Sequence, residues 1–224
     1  LAKEFKHFNS QIIDLDKKIT IDKEKFIFSG TNLRKRQHAF GISIEDLEMI
    51  LHPMAEDAKE AVGSMGDDTP LAVLSDRYRP LYHFFRQNFS QVTNPPIDSL
   101  RENKVMSLKT RFGNLGNILD FDKLTKDNIY VLESPILSNS QFEKFKNFFG
   151  KNSKIVDCTF THDQSLEESL DKILKESEIA VRQGTTQLIL TDTTISEKKI
   201  AIPMLLCVGA INNHLIKNKL RGYV

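Results

Sequence analysis

The sequence predicts an α/β fold in which strand–helix units alternate around a mostly parallel sheet. Two observations carry this. Short apolar runs, about five of them, are separated by segments whose apolar residues recur at steps of three and four. Several of those segments open on a Ser followed three residues later by an acidic or amide side chain, the pattern that closes the first turn of a helix. Such alternation favours parallel pairing, and about five strands are too few for a complete eightfold barrel. At 224 residues, 40% hydrophobic and 27% charged, the chain has material for one sizeable core and an ordinary globular composition.

Residues 1–40 are densely charged, with short apolar pieces at Ile12–Ile13 and Phe26–Phe28. They read as a linker or edge segment, and 41–224 as the α/β domain. Arg34, Lys35 and Arg36 cluster, but neighbouring charges cancel, so a solvated helix start is favoured over nucleic-acid contact. Ser43 with Asp46 then caps a helix whose face is Ile44, Leu47, Leu51, Met54 and Ala58. Pro53 should kink or split it, and Gly63 should end it. Pro70–Leu74 reads as a buried strand. Tyr78, Leu81, Tyr82, Phe85 and Phe89 form the next helical face. Val92–Ile97 is extended, because its two prolines forbid helix. Ser99 with Glu102 opens a short helix carrying Val105 and Leu108.

The later elements alternate more plainly. Ile129–Leu132 reads as a strand. Ser138 with Gln141 caps a helix bearing Phe142, Phe145 and Phe149, closed by Gly150. Ile155–Phe160 is the next strand. Ser165 with Glu168 caps a helix with Leu166, Leu170, Ile173 and Leu174, closed by Gly184. Leu188–Leu190 is a strand, and Ile202–Ile216 a largely buried helix. No solenoid repeat or low-complexity tract interrupts the series.

Two polar loops at predicted strand ends are the candidates for function, since such loops carry function where the rest carries packing. The first is Gly63, Ser64, Met65, Gly66, Asp67, Asp68 and Thr69. Its glycines suit an anion cradle, but the two aspartates repel anions and no Lys or Arg follows in the phosphate-loop position. A tight turn fixed by an Asp side chain is the competing reading. The second is Thr93, Asn94, Pro95, Pro96 and Ile97. It is either a structural proline turn or a stiff polar loop that presents carbonyls and the Asn94 amide in a fixed direction.

Several functions are excluded or disfavoured. A net charge of +1 gives no global field for nucleic acid or an anionic membrane. The longest apolar run, Ile202–Ile211, contains Pro203 and is too short to span a bilayer. The start, LAKEFKHFNS, lacks the apolar stretch of a signal peptide, and the absence of an initiator Met fits a piece of a longer polypeptide. Cys158 and Cys207 lie in apolar surroundings and read as buried thiols, too few for zinc or an iron–sulfur cluster. A reducing, cytoplasmic compartment is the corresponding expectation. The histidines show no HExxH-type spacing. His162 and Asp163 follow a strand, but read as a polar approach to a helix. No GxGxxG motif appears.

The stretches RQHAFGISIEDLEMILHPMAEDAKEAVGSMGDDTPLAVLS (Arg36–Ser75) and FFRQNFSQVTNPPIDSLRENKVMSLKTRFG (Phe84–Gly113) resemble the central domain of the glutamate synthase large subunit. The likeness continues through SPIL (Ser134–Leu137) and IPMLLCVGAINNHLI (Ile202–Ile216), so it covers most of the chain and is weakest in the first 30 residues. It implies an incomplete, TIM-barrel-like topology related to a flavin-binding barrel. It implies a parent enzyme that transfers the glutamine amide as ammonia to 2-oxoglutarate with reduction, giving two glutamates. It implies neighbouring amidotransferase and flavin-binding domains on the same polypeptide, and FMN and an iron–sulfur cluster in the parent but no cofactor in this fragment. The matching loop at Thr93–Ile97 lies, in that family, at the entry of an ammonia tunnel. Gly63–Thr69 then reads as an interdomain docking loop. The amidotransferase's N-terminal cysteine and the cluster cysteines are absent, so the fragment alone is expected to be non-catalytic. Leu190-Thr-Asp-Thr departs from a family segment that more often reads LSDR, which puts any ion pair of that arginine in doubt. The competing expectations are a free-standing α/β domain binding a small ligand between the two loops, and a hydrolase using His162 or His83.

Overall fold

The computed structural model describes residues 12–22, 28–57, 81–85, 99–113 and 129–224. The chain divides into two units, one formed by residues 1–24 and 108–224, the other by residues 25–107. The larger unit mixes helices with small, partly parallel sheets, an α/β arrangement.

Its first sheet is ordered β1 (Ile12–Asp14), β3 (Ile129–Leu132), β2 (Thr110–Phe112). β1 runs parallel to β3, with Ile12 opposite Ile129, and β2 runs antiparallel to β3, with Thr110 opposite Leu132. The first described residues are therefore part of this sheet. Helix α4 (Asn139–Phe149) covers it, and Phe145 and Phe149 bury themselves with Leu15, Ile19 and Leu132. Phe112 meets Phe145 edge-on at 5.3 Å between ring centroids, and Tyr130 meets Phe149 at 5.1 Å, spacings at which aromatic pairs attract. Lys144 binds the Asp22 carboxylate at 2.8 Å and the Thr20 carbonyl at 2.9 Å, tying residues 20–22 to the helix.

The second core belongs to a parallel pair, β4 (Ser153–Asp157) and β6 (Gln187–Thr191), joined through helix α5 (Leu166–Arg182). Helix α6 (Met204–Lys217) packs on α5. Val156, Ile173, Val181, Ile202, Ile211 and Leu215 fill the space between them. Two of the predicted boxes form here: Ser138 with Gln141 opens α4, and Ser165 with Glu168 opens α5. Gly184 closes α5 at φ +95°, with Thr185 N–H donating to the Ala180 carbonyl and Gly184 N–H to Val181. This is the two-bond closure that a left-handed residue makes possible. α6 ends in the same way, but Lys219 holds the left-handed position at φ +58°.

Three predicted elements differ. The strand expected over Ile155–Phe160 is two strands, β4 and β5 (Thr159–Thr161), and β5 pairs antiparallel with β7 (Lys199–Ala201). The break is Cys158, whose N–H donates to the Thr191 carbonyl while its own carbonyl accepts from Ile202 N–H. One residue thus hands the chain from β6 to the segment beyond β7. The helix expected over Ile202–Ile216 starts at Met204, because Pro203 takes the capping position. It is buried along one stripe only, Cys207, Ile211 and Leu215; Leu205 remains 59% exposed. Helix α3 (Ser99–Val105) stops before Leu108, which lies outside it.

In the other unit, helix α1 (Gly30–Ala39) precedes the segment that opens on Ser43. Ser43 N–H donates to Asp46 at 2.8 Å and Asp46 N–H to the Ser43 hydroxyl at 3.1 Å, the expected box. Asp46–Leu51 is a wide π-helical stretch, followed by α2 (His52–Asp57) with Pro53 in its first turn. His52 N–H reaches back five residues to the Leu47 carbonyl. The widened turn is how the helix accommodates a residue that has no N–H to give. Leu81–Phe84 forms a 3₁₀ turn. Predicted features at Gly63, Pro70–Leu74 and Val92–Ile97 lie outside the described residues.

Candidate functional site

Parallel strands place functional residues beyond their carboxyl ends, because the loops there are free to vary. The carboxyl ends of β4 and β6 lie side by side in register, Asp157 opposite Thr191. Asp157 is the centre of a polar cluster. Its Oδ1 accepts from the Thr159 and Thr194 hydroxyls, both at 2.8 Å, and Oδ2 accepts from Thr194 at 2.9 Å. Lys199 Nζ lies 3.4 Å from Oδ2. Burial alone would raise the carboxyl pKa. The two hydroxyls and the ammonium outweigh it, so Asp157 ionises below the usual carboxylate range.

A carboxylate so held is a poor proton acceptor, since each bond to its charged form must be weakened before it takes a proton. The cluster acts instead as a clamp. Residues 157 and 159 flank the β4–β5 break, Thr194 lies in the loop after β6, and Lys199 opens β7. Three separate backbone positions, 159, 194 and 199, converge on the Asp157 side chain. Thr193 donates its N–H to the Thr191 hydroxyl at 3.3 Å, and the two hydroxyls lie 3.0 Å apart. His162 Nε2 lies 3.2 Å from the Glu197 carbonyl, which joins the β5 end to the turn before β7.

Beneath the clamp, Cys158 and Cys207 are fully buried free thiols, as their apolar neighbours predict. Cys158 Sγ points to the Val156 carbonyl at 3.7 Å. The hydrogen bond with Cys158, together with burial, pushes the Cys207 thiol strongly up. Among the described residues, no three His, Cys, Asp or Glu side chains gather as metal ligands, so a cluster or metal finds no donor set there. No described helix is long and apolar enough to cross a membrane.

The residues predicted to carry function, Gly63–Thr69 and Thr93–Ile97, lie outside the described residues. Sequence reading missed the Asp157 clamp. Its only local signal is the run of threonines, Thr191, Thr193 and Thr194, immediately after a strand, and Asp157 reaches Thr194 across 37 positions.

Comparison with known proteins extends this picture. Residues 35–224 match the family described as glutamate synthase central domain. The chain is 52% identical over 213 residues to the glutamate synthase [NADPH] large chain of Azospirillum brasilense, covering 94% of this chain and 14% of that protein. It is 42% identical over 193 residues to the chloroplastic ferredoxin-dependent glutamate synthase of Oryza sativa subsp. japonica, covering 84% of this chain and 12% of that protein. It is 37% identical over 237 aligned positions to the glutamate synthase [NADH] of Saccharomyces cerevisiae, covering 99% of this chain and 11% of that protein. The chain therefore spans only a small part of the length of the relatives it matches.

Proposed function

The chain belongs to the glutamate synthase central-domain family, and from that premise we propose that it is a connecting domain that carries ammonia between two reaction centres of a longer enzyme. The observation that carries the reading is the match of residues 35–224 to this family, in a chain spanning 14% of its Azospirillum relative. The whole enzyme would hydrolyse glutamine in an amidotransferase domain and add the released ammonia reductively to 2-oxoglutarate in a flavin domain, yielding two glutamates. FMN and the iron–sulfur cluster would be held by other parts of that polypeptide. Cys158 and Cys207, sealed in the core, offer no cluster ligation. The domain itself would perform no bond-breaking step, and would work in the cytoplasm or in an organelle such as the chloroplast named for the rice relative.

In this reading Thr93, Asn94, Pro95, Pro96 and Ile97 form a stiff constriction on the ammonia path, and Gly63, Ser64, Met65, Gly66, Asp67, Asp68 and Thr69 dock against a neighbouring domain. Exposed carbonyls suit ammonia, which has three N–H donors to place. An incomplete barrel over 41–224, with 1–40 as its linking edge, is the topology that goes with it. The reading is indifferent to the reductant, because the similarity extends to relatives whose names specify NADPH, ferredoxin and NADH.

The test is Thr93→Phe in the full-length enzyme. A bulky ring in a constriction should cut glutamine-dependent synthesis more than synthesis from added ammonia, while glutamine hydrolysis continues. Overpacking can itself cost about 1–3 kcal/mol, so melting curves accompany the assays. A normally folded variant whose hydrolysis, synthesis and ratio all equal wild type would remove Thr93 from the path.

A further inference from the structure

We draw no further inference here: the strongest candidate, the groove beside β6 lined by Leu188, Leu190, Val208 and Ile211 together with Arg111 and Arg221, is a surface for which nothing in the structure shows what covers it.

Discussion

The α5–α6 region and the helices of residues 30–57 are written with the same sequence signals, yet they end in different environments. α5 opens on a reciprocal box of Ser165 with Glu168 and the second helical segment of residues 30–57 on one of Ser43 with Asp46, and both carry apolar residues at steps of three and four. α5 and α6 bury Ile173, Val181, Cys207, Ile211 and Leu215 in one core. In residues 30–57 no helical residue is buried; Ile44 is 72% and Met49 70% exposed. Capping and periodicity make a helix, because both act within a few residues. Burial needs a second surface, which no local pattern supplies.

The contrast has measurable consequences. The largest is in the core. Ile211→Ala should destabilise the chain by about 2–5 kcal/mol, because a buried branched side chain leaves a cavity. Met49→Ala should stay within about 0.5 kcal/mol. Urea unfolding of the two variants checks this, and equal losses would break the distinction. Capping comes next. Ser165→Ala should cost about 1 kcal/mol, since the Glu168 N–H loses its acceptor at the start of a helix the core depends on.

Asp157 gives a pH-dependent case. Its folded pKa is depressed, so its contribution is present above the unfolded value of about 3.8 and is lost as pH falls through the lower folded value. Asp157→Asn should cost about 0.5–1.5 kcal/mol near neutrality and flatten the acid limb of the stability curve below about pH 4. An unchanged acid limb would show that the clamp is not coupled to folding. The smallest effect is a gain. Lys219→Gly should stabilise the chain by about 0.5–1 kcal/mol, because glycine takes φ +58° without a Cβ clash. Thermal melts check it.

These cases also divide what the sequence made legible from what it did not. Ile129–Leu132, the boxes at Ser138 and Ser165, and the stops at Gly150 and Gly184 were readable, because each depends on neighbours within four residues. The break at Cys158 was not. It is set by Thr191 and Ile202, far along the chain, and an apolar run looks continuous through it. The outer face of α6 was overread as buried, because composition alone does not distinguish a covered helix from one covered on a single side. The Asp157 clamp was illegible for the same reason as the break: its donors come from three segments. The family resemblance rested on consecutive words of sequence, which survive without any knowledge of contacts.

The central claim is that this domain lies on the route of ammonia between two sites. The direct measurement supplies the full-length enzyme with amide-¹⁵N glutamine in the presence of excess unlabelled ammonium, and follows ¹⁵N in the amino group of the newly made glutamate. Wild type should retain the label, because ammonia does not mix with solvent on the way. Thr93→Phe should lose label to the unlabelled pool while still hydrolysing glutamine. Equal retention of label in the two proteins, with the variant folded and active, would contradict the account.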